Sequence, residues 1–126
     1  MKTEIYSNNA PKPIGPYSQA IKHGNMIFIS GQIAMDYQNN SIINENIAEE
    51  TETVMKNIMS ILKESGCNFQ NIVKCSIFLS DISLFDEVNK IYSKYFSHPF
   101  PARETVEVSK LPKNVNVEIS AIAITK

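Results

Sequence analysis

Residues 115–124 read Val-Asn-Val-Glu-Ile-Ser-Ala-Ile-Ala-Ile, and this alternation predicts a β-strand with one face against the core. The core face carries apolar side chains of a size that fits under packed helices: Val115, Val117, Ile119, Ala121 and Ala123. The opposite face is mixed and carries Asn116, Glu118, Ser120, Ile122 and Ile124. This strand therefore predicts a sheet that helices cover on one side and that is half apolar on the other.

Outward from this strand, the pattern predicts further strands over 17–21, 26–30, 72–79 and 102–108. A first helix is expected between an N-cap at Asn46, in a box with Glu49, and a stop at Gly66. A second helix is expected to open at 83–86 and to end at 98–99. This order of elements is that of an α+β fold, a sheet with two helices packed on one face.

Length and charge limit the classes of function. The chain of 126 residues, 43% of them apolar, predicts one domain over 1–126. A net charge of −1 gives no general attraction to nucleic acid or to an anionic membrane. The sequence shows no apolar stretch of signal-peptide or membrane-spanning type. Cys67 and Cys75 match no zinc or redox spacing, so we expect a cytoplasmic protein with reduced thiols.

Arg103 is the only arginine of the chain, since the other basic residues are all lysines. It lies in Pro-Phe-Pro-Ala-Arg-Glu-Thr-Val-Glu-Val (99–108), where a proline-rich segment runs into a strand. A guanidinium can hold a carboxylate by two parallel hydrogen bonds, which an ammonium group cannot do. We therefore hypothesise a site for a small carboxylate with Arg103 at its base, and a structural ion pair is the equally open alternative.

Strand parity predicts where this arginine points. If Val106 and Val108 face the core, then Arg103 and Thr105 share the opposite face of the sheet with Glu118. That face has no helix left to cover it, so we expect other copies of the chain to cover it. The hypothesis is a homo-oligomer with its sites at the seams between subunits.

Four stretches together resemble the RidA/YjgF family of imine deaminases over essentially the whole chain. They are Gly15-Pro16-Tyr17-Ser18-Gln19-Ala20, Ser30-Gly31-Gln32-Ile33, Pro101-Ala102-Arg103, and Leu111-Pro112 followed by Val117-Glu118-Ile119. The resemblance implies a chorismate-mutase-like fold, with a six-stranded mixed sheet, two helices on one face, and a trimer with an inner barrel. It also implies hydrolysis of 2-iminobutanoate and 2-iminopropanoate, released by pyridoxal-phosphate dehydratases, to 2-keto acids and ammonia. The sites would lie between subunits and need no cofactor or metal.

The resemblance assigns roles to individual residues. Arg103 would bind the carboxylate, Glu118 would position the attacking water, and Tyr17 would order water or donate a proton. Further substrate contacts would come from Ser30, Gly31, Asn89 and Thr105. Thr105 stands where the family often has cysteine, and Ser120 stands where many members have a second acid, so the pocket of this chain differs in detail from theirs.

Three other functions stay open at this point. A non-catalytic protein that binds 2-keto acids on the same scaffold would need Arg103 but not Glu118. An RNA-directed activity, described for relatives, is disfavoured by the lone arginine, the balanced charge and the lack of a basic cluster. Chorismate mutase activity rests on fold analogy alone.

Overall fold

Six strands form one mixed sheet in the computed structural model, which describes residues 1–126. The strands are β1 Thr3–Ile5, β2 Ala20–His23, β3 Met26–Gln32, β4 Ile72–Leu79, β5 Ala102–Glu107 and β6 Val117–Ile124, and the helices are α1 Ile47–Glu64 and α2 Phe85–Tyr92. The order across the sheet is β1-β2-β3-β6-β4-β5. Neighbouring strands are antiparallel except β4 and β5, which are parallel because α2 crosses over between them.

The strand β6 lies at the centre of the sheet, between β3 and β4, and its predicted alternation is confirmed. Val117, Ile119 and Ala123 are fully buried, whereas Glu118 and Ser120 are half-buried on the opposite face. The buried side chains join one core with apolar residues of both helices, among them Val54, Met55, Ile58, Ile61, Leu62, Val88 and Tyr92. Both helices therefore cover the same face of the sheet, as the sequence predicted.

The first helix begins and ends where its caps predicted. The Asn46 Oδ1 accepts a hydrogen bond from the Glu49 N–H at 2.8 Å, which satisfies one of the free donors at the helix start. At the other end, Gly66 adopts a φ of +74°, a left-handed conformation that glycine adopts without strain. No helix of the chain has the length and apolar character needed to cross a bilayer.

The second helical region differs from its prediction at both ends. Asp81, not Ser83, accepts the capping hydrogen bond, and a 3-10 turn over Ile82–Leu84 leads into α2. A carboxylate two residues upstream is a stronger acceptor than the serine hydroxyl, so the helical turn starts earlier. The region ends in a further 3-10 turn over Ser93–Tyr95, before the predicted stop at 98–99.

The N-terminal strands were only partly predicted. The strand β1 spans three residues, too few for an alternation to show, and it is held by pairing with β2 and by the buried Ile5. The strand β2 begins at Ala20 rather than at Tyr17. Before it, the Gln19 carbonyl still accepts the Ser30 N–H at 2.9 Å, while the buried Gln19 side chain bonds the preceding loop.

The predicted parity of β5 is wrong. Arg103 and Thr105 pair with buried residues of β4 and lie on the helix-covered face, whereas Val106 lies on the opposite face and is 41% exposed. The strand is at the edge of the sheet, where the helix-covered face is only half-buried and the other face is exposed, so valine content does not mark the core side. The aromatic face of α2 covers this strand and accepts a guanidinium where the prediction placed a valine.

The sheet face without helices is mixed, as predicted. Met26, Phe28 and Val106 are 37%, 42% and 41% exposed, and Ile122 and Phe78 are half-buried beside them. Met26 and Phe28 lie beside Ile122, and Phe78 lies beside Val106, with Ser76 and Ser120 between the two groups. Exposed apolar groups of this kind on a sheet face are typical of a surface that meets a partner. That other copies of the chain cover it stays a prediction.

Candidate active site

Three side chains of α2 meet Arg103 from one helix face. Phe85, Asn89 and Tyr92 follow one another at intervals of four and three residues, which places them on the same side of the helix. The Arg103 Nη1 donates to the Asn89 Oδ1 at 2.7 Å. The ring centroids of Phe85 and Tyr92 lie 5.5 and 5.0 Å from the Arg103 Cζ, within the range of cation–π contacts. These four residues are called the Arg103 half-site below.

The charge of Arg103 is not neutralised within its own chain. The one salt bridge of the protein joins the Lys74 Nζ and the Glu104 Oε1 at 3.1 Å, and Arg103 takes no part in it. Burial raises the pKa of Tyr92 above the ordinary range of a phenol, and burial also raises the pKa of the adjacent Cys75 thiol. Both groups are therefore neutral near pH 7, and the structural ion pair considered for Arg103 is not formed.

A cavity of about 300 Å³ opens at the Arg103 half-site, a volume that suits a small organic molecule. It is lined by Asn89, Tyr92, Ser93, Phe100, Pro101 and Arg103. Thr105 is not part of this lining, and its hydroxyl oxygen, like that of Tyr92, is buried without a hydrogen-bond partner. The structure thus brings Asn89 to Arg103, whereas the Thr105 hydroxyl is buried and is not part of the cavity lining.

The second group of predicted residues meets on the open face of the sheet. A β-bulge between Ile29 and Gln32 brings Gly31 against the Glu118 side chain. A Cβ atom on Gly31 would lie 2.8 Å from the Glu118 Cδ, so any other residue would displace the carboxylate. A cavity of about 370 Å³ adjoins them and is lined by Ile14, Tyr17, Ser30, Gly31, Ile33, Pro112 and Glu118. Tyr17, Ser30, Gly31 and Glu118 are called the Glu118 half-site below.

The electrostatic setting of Glu118 suits proton transfer. Burial raises the pKa of its carboxyl group, and no lysine, arginine or histidine of the chain forms an ion pair with it. A carboxylate whose pKa is raised toward the working pH takes a proton more readily than an ordinary surface glutamate. Glu118 can therefore accept a proton from a nearby water and return it to another atom.

The Tyr17 loop is held in place by a residue that sequence reasoning missed. The buried Gln19 amide accepts a backbone N–H bond at 2.6 Å and donates to a carbonyl at 2.9 Å, both within residues 7–11. The Ser30 Oγ donates to the Ser18 carbonyl at 2.6 Å on the other side. Tyr17 itself is 48% exposed and faces the cavity. The position of Gln19 within the first motif, close to Tyr17, is the signal that could have identified it.

A second missed residue fixes the start of β6. Glu50 of α1 is fully buried, and its carboxylate accepts hydrogen bonds from the Asn116 N–H at 2.7 Å and from the Asn116 Nδ2 at 2.9 Å. These bonds hold the backbone just before Glu118. An acid in the first turn of a helix is common, so no pattern distinguished Glu50 from its neighbours.

The two half-sites lie on opposite faces of the sheet of one chain. Arg103 pairs with Cys75 of β4 and Glu118 pairs with Phe78, and residues three apart on one strand point to opposite sides. The two backbone positions are also roughly 10 Å apart along the strands and roughly 10 Å apart across them. The prediction that Arg103 and Thr105 share the face of Glu118 is therefore wrong. One chain alone does not bring the Arg103 guanidinium and the Glu118 carboxylate to the same small molecule.

Known proteins share this fold and much of this sequence. The family described as Endoribonuclease L-PSP matches residues 7–125. A RutC family protein of Pyrococcus abyssi is 48% identical over 122 residues, which cover 97% of this chain and 96% of the relative. The human 2-iminobutanoate/2-iminopropanoate deaminase is 46% identical over 120 residues, which cover 95% and 88%. The crystal structure of the E. coli YjgF gene product matches with a TM-score of 0.93 at 37% identity, over 98% of this chain and 99% of that one.

This chain therefore belongs to the RidA/YjgF family, as its four motifs indicated. The chorismate-mutase-like fold with a six-stranded mixed sheet and two helices is confirmed as well. The relatives carry several different functional names, so membership alone leaves the activity of this chain to the chemistry of its two half-sites.

Proposed function

We propose that this protein hydrolyses 2-imino acids such as 2-iminobutanoate and 2-iminopropanoate to 2-keto acids and ammonia, at sites formed between copies of the chain. One observation carries the proposal: Arg103 is cationic with no acidic partner on one face of the sheet, and Glu118 has a raised pKa on the other. The first group suits a substrate carboxylate and the second suits a water molecule. The name of the human relative supports this reaction.

Assembly as a homotrimer would unite the half-sites. The open face exposes Met26, Phe28 and Val106, so its contact with neighbouring copies would remove apolar surface from water. The Glu118 half-site lies on this face, and the Arg103 half-site lies at the edge strand β5, where a neighbour can reach it. A neighbour placed against that edge would bring its own Glu118 to the Arg103 cavity.

Substrate binding follows from the donors that are left on Arg103. Asn89 uses one N–H of the guanidinium, and the remaining donors would hold the substrate carboxylate. The imine carbon would then lie between this anchor and the Glu118 carboxylate of the neighbouring copy. Tyr17 and the backbone N–H of Gly31 would bind the polar atoms at the reacting end.

The reaction needs only water and proton transfers, because an iminium carbon is already electrophilic. Glu118 accepts a proton from water as the water oxygen bonds to the carbon and the C=N double bond becomes a single bond. The resulting carbinolamine takes that proton on nitrogen, the C–N bond breaks, and ammonia leaves. Loss of the hydroxyl proton then forms the keto group, so iminium and water yield 2-keto acid and ammonium in balance.

A non-catalytic role is the second candidate, since the Arg103 half-site is complete within one chain and could bind a 2-keto acid without Glu118. The family description as an endoribonuclease raises RNA as a substrate, but one arginine and a net charge of −1 disfavour phosphate tracking. A small imine produced in the cytoplasm by a pyridoxal-phosphate dehydratase fits the cavities better.

The test is a trapping assay. A threonine dehydratase releases 2-iminobutanoate, semicarbazide captures it as the semicarbazone, and this protein is added in catalytic amount. We expect the wild-type protein to reduce semicarbazone formation and Arg103→Ala to restore it. If semicarbazone formation is not reduced for the imines from several amino acids, the proposed hydrolysis is contradicted. Binding of 2-oxobutanoate by a protein without this activity would then favour the non-catalytic role.

A further inference from the structure

We propose that Phe85 and Tyr92 are positioning residues that orient the Arg103 guanidinium for a carboxylate. This inference deepens the proposed function and rests on it. The two aromatic rings are called the aromatic clamp below. Phe85 touches the arginine and does not line the cavity, so its effect would reach the substrate only through Arg103, whereas Tyr92 also lines the cavity.

The geometry of the clamp limits the freedom of the guanidinium. Ring centroids 5.5 and 5.0 Å from the Cζ atom leave the side chain little room to swing, and the bond to the Asn89 Oδ1 fixes its rotation. All three groups come from α2, a helix that packs against the core through Val88 and Ile91. The orientation of the guanidinium is thus built into the rigid part of one chain.

The clamp holds Arg103 with neutral groups. An acidic partner would fix the guanidinium equally well, but it would compete with the carboxylate of the substrate for the same donors. Aromatic faces attract the cation without neutralising its charge, and a guanidinium is hydrated weakly enough to stack on them. The chain therefore keeps Arg103 ordered and fully charged at the same time.

Contact with Arg103 gives the aromatic ring of Phe85 a role beyond the core, whereas Tyr92 serves the buried core and Arg103 together. Phe85 is only half-buried and packs at the edge of the core. Both rings lie against the Arg103 guanidinium.

The test compares binding of 2-oxobutanoate with binding of its neutral amide, 2-oxobutanamide, by calorimetry. We expect Phe85→Leu to weaken binding of the acid about fivefold and to leave the affinity for the amide unchanged. Only the carboxylate of the acid accepts two parallel hydrogen bonds from the oriented Arg103 guanidinium. The matched control is Phe69→Leu, the same change at a core ring that contacts Tyr95 and Phe96 rather than Arg103. Tyr92→Phe keeps the ring and should keep the preference for the acid.

Turnover of the imine separates this inference from the proposed function. With Phe85→Leu, KM should rise about fivefold while kcat stays the same. An equal loss of acid and amide binding, a loss matched by Phe69→Leu, or no loss at all would overturn the clamp. If the wild-type protein prefers the acid but hydrolyses no imine, the proposed hydrolysis is contradicted. The aromatic clamp is then decided by the ratio of acid to amide affinity in the wild type and in Phe85→Leu. A wild-type protein that shows no preference for the acid would overturn the clamp itself.

Discussion

The Arg103 half-site is formed within one chain, whereas the Glu118 half-site is open on the face that has no helices. Arg103 is held on its own chain by a hydrogen bond and two rings. Glu118 adjoins a cavity on the open face, and its neighbour Tyr17 is 48% exposed. In the proposed function, recognition of a carboxylate would therefore be built into the single chain, whereas catalysis would depend on a second copy closing over Glu118.

The largest expected effect comes from removing the base. Glu118→Gln should lower imine hydrolysis by about a thousandfold, since the amide cannot accept a proton from water. Binding of 2-oxobutanoate should change by less than about threefold, because the Arg103 half-site is untouched. Rates from the trapping assay and affinities from calorimetry measure the two quantities. An equal loss of hydrolysis rate and of affinity for 2-oxobutanoate would contradict the separate roles of the two half-sites.

Asn89→Asp should act on the other half-site with a smaller effect. It would place a carboxylate on the Arg103 Nη1 and so compete with the substrate, which should raise KM about tenfold with little change in kcat. Asn68→Asp makes the same change of charge at an exposed N-cap and serves as the control. An unchanged KM for Asn89→Asp would show that Arg103 is not the substrate anchor.

Gly31→Ala should disturb the Glu118 half-site without disturbing the fold. The added Cβ would push the Glu118 carboxylate aside, and we expect kcat to fall about fivefold with an unchanged melting temperature. The backbone of Gly31 has no positive φ, so alanine adds no backbone strain there. Wild-type kcat in this variant would mean that the position of Glu118 does not limit the reaction.

The smallest expected effect is on stability. Burial raises the pKa of Glu118 in the folded protein, so between the ordinary and the raised pKa the folded state binds more protons than the unfolded state. Stability should therefore fall as the pH rises through this interval. The melting temperature of Glu118→Gln should not fall as the pH rises through this interval. If it falls as much as that of the wild type, a group other than Glu118 causes the pH dependence.

Much of the central sheet could be predicted from alternation, because β6 is covered by helices on one face along its whole length. Asn46 and Gly66 likewise bounded α1, since capping acts through local hydrogen bonds and backbone angles. The short strand β1 carries no pattern of its own and is held by tertiary pairing with β2. Alternation and capping residues therefore predicted β6 and α1, whereas β1, which depends on pairing with a distant segment, was not predicted.

The site was predicted less well than the fold. The family motifs named Arg103, Glu118, Tyr17 and Gly31, but the assumed parity of β5 placed Arg103 on the wrong face. A shift of one residue in an edge strand moves every side chain to the other face, and the composition of β5 does not decide between the two. Gln19 was missed because its hydrogen bonds reach a loop that no periodicity describes.

The claim that the site is shared between copies has a direct test by mixing. Arg103→Ala and Glu118→Gln should each be inactive alone, whereas chains unfolded together and refolded at equal amounts should regain about a quarter of wild-type activity, because that share of seams joins an intact Arg103 to an intact Glu118. A chain with both substitutions, mixed with either variant, is the control and should stay inactive. Activity in the first mixture would support a site built from two chains, and a mixture no more active than its separate components would contradict it.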